Sequence, residues 1–159
     1  MLPSLRLGFL VAPQWARPTL VAAKNALDWH CPVQPQVAVA AFINEGRLTR
    51  HVRRMRQTYR RRRDRLFALL VRDLHPWLEP IPSTWGMHLA AVARRGVEVE
   101  AAAESLARRG VRLHSLGRYH LGPPTHRGLV FGFGCADESE IGRGLELLRE
   151  TLSQGRSSV

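Results

Sequence analysis

The sequence predicts an α/β or α+β domain in which helices cover one face of a small sheet. Three observations carry this expectation. Apolar residues recur at steps of three, four and seven at Leu48, Val52, Met55, Tyr59, Leu66 and Leu70, which places them on one face of a long helix. Short apolar runs near Leu78, Gly86, Val111 and Gly128 have strand length. Between the second and third of these runs lies the alanine-rich amphipathic stretch from Val99 to Arg109.

Taken in order, Leu5 to Val11 reads as an apolar strand and Pro18 to Leu27 as a helix, with a turn from Trp29 to Pro35. A second helix is expected from Gln36 to Asn44, ended by Glu45-Gly46, because glycine accepts the left-handed conformation that follows a helix. The long helix then runs from about Arg47 to Leu74. Strands are expected from Leu78 to Ile81 and from Gly86 to Val92, joined by the turn Pro82-Ser-Thr84. Glu98 and Glu100 at one end of the alanine-rich helix and Arg108-Arg109 at the other suit its dipole, and Gly110 stops it. Strands Val111 to Leu116 and Gly128 to Gly134 flank a loop around Gly122-Pro-Pro124. Asp137 or Ser139 can cap a last helix reaching about Leu152, and residues 154–159 form a polar tail.

At 159 residues and 45% hydrophobic, the chain has the material for one ordinary core, and its composition does not indicate disorder. The run Leu7 to Ala12 is too short for a signal-peptide core, and no stretch has the length of a membrane span, so a cytoplasmic location is expected. Cys31 and Cys135 lack C-x-x-C spacing and are expected to be buried free thiols. His114, His120 and His126 are spaced by six, which fits no zinc motif, so they read as loop residues with no metal site. His88 is expected in the core, and Trp15, Trp29, Trp77 and Trp85 as packing residues. The sequence contains no glycine-rich phosphate loop, Ser/His/Asp set or convincing carboxylate pair.

The net charge of +11 is local. Residues 47–65 hold ten arginines against the single acid Asp64, so nine of those eleven charges sit on the first two thirds of the long helix. A solvated basic face beside an apolar stripe is one reading, and a helix lying along nucleic-acid phosphates is another. Arg62 falls near the apolar stripe, where a buried acid or a backbone carbonyl would hold it.

An ordered series of motifs resembles one family. Leu2-Pro-Ser-Leu-Arg-Leu-Gly-Phe9 is similar to the stretch that follows the Schiff-base lysine of fold-type I pyridoxal-phosphate (PLP) enzymes. Asp28-Trp-His-Cys-Pro-Val-Gln-Pro-Gln36, Phe42-Ile-Asn-Glu-Gly46, Arg50-His-Val-Arg-Arg-Met-Arg56, Tyr59 and Arg62-Arg-Asp64 continue the likeness. Together they resemble the aminotransferase-like half of MocR regulators, in which a GntR-type DNA-binding domain is fused to an aminotransferase fold.

The resemblance implies a C-terminal small domain with a long basic helix and a small sheet at residues 36–153. Residues 1–35 would then be the remnant of the large PLP-binding domain, contributing its last strand and helix. Arg6 matches the phosphate-binding arginine, and the catalytic lysine would lie just upstream of Met1, so this chain would contribute no catalytic residue. The only lysine present, Lys24, reads as a solvated helix residue. Many aminotransferases hold the substrate carboxylate with an arginine on the strand before the last helix. The aligned position here is Val130, and Arg127 at the strand entrance is the candidate substitute for substrate binding. The turn at His30-Cys-Pro32 is a candidate dimer contact.

Three functions follow as expectations. The first is a PLP-dependent aminotransferase-like portion of a homodimeric transcriptional regulator, inactive as an isolated chain. The second is a non-catalytic module that senses an amino acid or amine, or that dimerises, with DNA read by a separate domain. The third is a nucleic-acid-binding protein acting through residues 47–65.

Overall fold

A computed structural model describes residues 6–29, 32–123 and 125–155. The chain is α+β, with a four-stranded antiparallel sheet and five α-helices among the described residues. It divides into two compact units, Met1–Arg54 and Met55–Val159.

The described part of the first unit begins without regular structure and enters a short 3-10 turn at Gln14–Ala16. Helices α1 (Arg17–Asp28) and α2 (Val33–Asn44) follow, and α3 (Arg47–Asp73) starts here. Pro18 sits in the first turn of α1, where its missing N–H costs no intrahelical bond. The same reasoning corrects the start of α2, which begins three residues before the expected Gln36. Pro35 falls within its first turn, where backbone N–H groups have no helical acceptor, and the Gln36 side chain donates back to the Pro32 carbonyl at 3.2 Å. The expected strand from Leu5 to Val11 is not formed over its described residues, and Phe9, Leu10 and Val11 stand exposed. A strand needs a neighbour for its N–H and C=O groups, and among the described residues no strand pairs with this segment. Neither α1 nor α2 contains a buried residue.

The second unit holds the core. Its sheet comprises β1 (Leu78–Pro80), β2 (His88–Ala93), β3 (His114–Ser115) and β4 (Gly128–Gly132), in the order β1-β2-β4-β3. Cross-strand pairs Leu89↔Phe131 and Ala91↔Leu129 place four buried side chains on one face. Leu66, Leu69 and Leu70 of α3 join them in one apolar cluster, as do Val99, Ala102 and Leu106 of α4 (Val99–Arg108). Helix α5 (Glu138–Gln154) adds Ile141, Leu145, Leu148 and Leu152. Among the described residues no polar or charged side chain belongs to the buried set.

Local chemistry sets the boundaries. Gly46, Gly86 and Gly110 all have positive φ, which ends α2, keeps Gly86 out of β2 and stops α4. The expected strand Val111–Leu116 shrinks to two residues because the Val111 N–H is spent on the Leu106 carbonyl closing α4, at 2.9 Å. Asp137 caps α5 in a reciprocal box: its Oδ1 accepts from the backbone N–H groups of Ser139 and Glu140, while Glu140 Oε2 accepts from the Asp137 N–H.

Several expected packing residues are corrected by this geometry. His88 pairs opposite Gly132 on the solvent side of the sheet and is exposed, because the buried phase of β2 falls on Leu89 and Ala91. Trp15, Trp29 and Trp85 are also exposed, whereas Trp77 packs on the core. Cys135 is a free, exposed thiol in the turn between β4 and α5, and Cys31 lies outside the described residues.

A Cβ at Gly128 would stand 2.2 Å from the Ala91 carbonyl oxygen and 2.6 Å from a Leu116 methyl. Gly128→Ala should therefore destabilise the fold by about 1–3 kcal/mol in denaturant titration, through overpacking against backbone that cannot yield. Asp137→Ala should cost about 1 kcal/mol in the same titration through loss of the cap, with the structure otherwise intact.

Candidate functional site

Arg6 and Arg127 belong to different compact units. Arg6 is exposed in the irregular segment ahead of the 3-10 turn, with φ 48°, a left-handed conformation uncommon for a residue with a side chain. Lys24 lies on α1 and donates to Asp28 Oδ1 four residues on, one helical turn away. The only lysine of the sequence is thus engaged by a carboxylate on its own helix.

Arg127 stands just before β4, where its carbonyl accepts from the Ala93 N–H at 2.8 Å and ties it to the end of β2. Its guanidinium forms a fork with Glu98, Nη1 to Oε1 at 3.0 Å and Nη2 to Oε2 at 2.7 Å. Nη2 also reaches Glu100 Oε2 at 2.5 Å. Glu98 occupies the N-cap position of α4 and Glu100 lies in its first turn, so the two acids favoured there by the helix dipole also clamp the strand entrance. Hydrogen bonding to Arg127 holds both carboxyls below their ordinary range, and the two carboxylates push the guanidinium pKa further up. Val130, the position aligned with the usual substrate arginine, is half-buried in β4 and pairs with Ala90 and His114.

The three histidines spaced by six divide into two hydrogen-bonded groups, and His114, expected in a loop, lies in β3 opposite Val130. His114 Nδ1 meets the Tyr119 hydroxyl at 2.7 Å. His120 Nδ1 lies 3.0 Å from the Leu116 carbonyl, which can only accept, so this nitrogen carries a proton. Its Nε2 lies 3.3 Å from Thr125 Oγ1, which is 3.1 Å from His126 Nδ1. Among the described residues no three His, Cys, Asp or Glu side chains converge as a metal site would require. Arg62 reaches carbonyls, as its place beside the stripe suggested: Nη1 donates to Gly134 at 2.8 Å and to Phe133 at 3.4 Å. Its guanidinium also lies 6.0 Å from the centre of the Tyr59 ring.

The sequence did not reveal a cleft of about 380 Å³ beside β4, lined chiefly by Leu66, Val111, Phe131, Ile141 and Leu145. It opens beside the chain from Gly110 to Leu113, which does not pair with β4 before β3 begins at His114. No local signal in the sequence marks it, because the late start of β3 is set by the hydrogen bond from Val111 to Leu106. As a cofactor site the described groups are incomplete. Of the groups a PLP site uses, the described residues offer the exposed guanidinium of Arg6, while the Lys24 amine is paired with Asp28.

The architecture places the chain among aminotransferase-like folds. It superimposes with TM-score 0.85 on LysN, the alpha-aminoadipate aminotransferase of Thermus thermophilus, at 24% identity over 99% of this chain and 40% of that one. The kynurenine aminotransferase of Pyrococcus horikoshii gives a TM-score of 0.82 at 22% identity, covering 96% of this chain and 38% of that one. These likenesses show the fold.

Sequence relatives narrow the class. The chain is 30% identical over 158 residues to the probable rhizopine catabolism regulatory protein MocR of Rhizobium meliloti, covering 99% of itself and 32% of that protein. It is 28% identical over 153 residues to the pyridoxine biosynthesis regulator PdxR of Corynebacterium glutamicum, described as of helix-turn-helix (HTH) type, covering 96% and 33%. No family model matches. Over nearly its whole length the chain is similar to these regulators, and it spans about a third of their length.

The Arg127 clamp has a testable pH signature. Because Glu98 and Glu100 have lowered pKa values in the fold, their contribution is present above the ordinary value of 4.5 and is lost as pH falls through the lower folded values. Arg127→Met should therefore lower thermal stability modestly at neutral pH, and the gap from wild type should close on acidification below that value. High salt should narrow the gap as well, since the groups are exposed.

Proposed function

We propose that this segment is the sensing part of a MocR-type regulator: a fold of aminotransferase descent that contributes to effector and PLP binding without performing transamination itself. In this reading residues 1–35 belong with a larger cofactor domain, residues 36–153 form the long helices and small domain, and residues 154–159 are a tail. Arg6 would meet the PLP phosphate, and the Schiff-base lysine would come from polypeptide outside this chain. The whole regulator would work as a cytoplasmic homodimer, take an amino acid or amine as effector, and read DNA through a separate domain.

The observation that carries this reading is the engagement of the only lysine, Lys24, by Asp28 on helix α1. An amine held as an exposed ammonium in an ion pair is a poor nucleophile toward an aldehyde, since carbonyl addition needs the free base. The substrate side supports the same reading. Val130 offers no charge to a carboxylate, and Arg127, the candidate substitute, would have to exchange Glu98 and Glu100 for the substrate. Two acids already matched to its fork make that exchange unfavourable, so Arg127 is a poor stand-in for the substrate arginine of an aminotransferase.

Incubation of the chain with PLP, borohydride reduction and peptide mass spectrometry should find no stoichiometric pyridoxyl adduct at Lys24, and no transamination should be detected. Full labelling of Lys24 that disappears in Lys24→Arg would show that this chain carries its own aldimine lysine and would overturn the reading. The proposed boundary has its own check: removal of residues 1–35 should leave the slow hydrogen exchange of β2 and β4 unchanged.

A further inference from the structure

Half of the arginines in residues 47–65 have partners. Arg47 pairs with Glu45, Arg60 and Arg63 with Asp64, and Arg61 with Glu138, while Arg62 donates to two carbonyls. Arg50, Arg53, Arg54 and Arg56 are different: all four are exposed, and among the described residues none makes a side-chain hydrogen bond or ion pair. No acidic residue occurs between Gly46 and Arg63, and the nearest before them, Glu45, is taken by Arg47.

These four residues lie on α3, outside the stripe of Leu48, Met55 and Tyr59, fan over roughly 160° of its circumference at about 3.6 residues per turn, and span about 9 Å of its axis at about 1.5 Å per residue. The spacings 50–53, 50–54 and 53–56 are the three- and four-residue steps at which like charges destabilise a helix. The sequence thus keeps a self-repelling row to which the described residues bring no compensating side chain. An external polyanion would supply that compensation.

We infer that the Arg50–Arg56 row of α3 is a contact for the phosphate backbone of duplex DNA, independent of base sequence. Guanidinium forks match phosphate oxygens and release condensed counterions on contact. Within Arg50–Arg56 there is no Phe, Tyr or Trp on which an unpaired base could stack, which favours duplex backbone over single strands. Relatives of HTH type are DNA-binding regulators, so in such a protein this helix would meet DNA that another domain has already selected. The row would then strengthen and orient binding without choosing the site. This inference is independent of the cofactor reading, since none of its residues takes part there.

The test measures the affinity of the 159-residue chain for a mixed-sequence duplex across a salt series. Four phosphate contacts predict a roughly hundredfold loss of affinity between about 50 and 200 mM salt. The variant R50Q/R53Q/R54Q/R56Q should abolish most of that dependence, lowering the slope of log affinity against log salt by about three to four, with an unchanged circular dichroism spectrum. A control with the same change of charge, R95Q/R108Q/R112Q/R118Q, alters four arginines elsewhere and should leave the slope as it is. Equal losses in both variants would reduce the effect to net charge and overturn the inference. So would absence of duplex binding at low salt, or a preference for an acidic polypeptide over the duplex.

Discussion

The close approach of β4 to β2 at Gly128 is the constraint on which the second unit depends. With no side chain at that position, the backbone comes against Ala91 and Val92, and the register that follows sets Leu89 beside Phe131 and Ala91 beside Leu129. Those four residues make the floor on which α3, α4 and α5 lay their leucines. The helices do not converge on a ready-made surface; a bulkier residue at 128 would shift the strand and break up the floor. Arg62 secures the far end of the same strand region by taking the Phe133 and Gly134 carbonyls, so one arginine of the basic helix serves the sheet rather than solvent.

The helices were largely legible because their signals are local. The stripe from Leu48 to Leu70 needs only the 3.6-residue period, and Gly46 and Gly110 mark ends through a conformation other residues avoid. Strand content was legible, but strand extent was not. Whether Val111 continues into β3 is decided by a hydrogen bond back to Leu106, and whether His88 points inward is decided by the partner strand's register. Neither fact is encoded in the run of residues itself. The outward tryptophans have the same explanation: aromatic content tells of apolar surface without saying which element covers it.

At the candidate site, residue types were easier to find than their commitments. Arg127 stood out as a charge at a strand entrance, yet Glu98 and Glu100, which engage it, lie 27 to 29 residues earlier and read only as dipole partners of α4. The histidine series suggested regularity by its spacing of six, but folding separates it into a His114–Tyr119 pair and a chain through Thr125. The family likeness rested on ordered motifs, which are short runs that can be read one after another along the chain. Individual contacts, spread across the fold, leave no such local trace.

The core's eighteen buried hydrophobic residues, with no buried polar or charged side chain among those described, make hydration the main source of the second unit's cohesion. Exposing hydrocarbon to water raises the heat capacity of the unfolded chain, and among the described residues no buried polar or charged side chain joins the backbone in offsetting the increase. The unit's stability curve is accordingly steeply bowed, so chilling weakens this sheet and its helices as heating does.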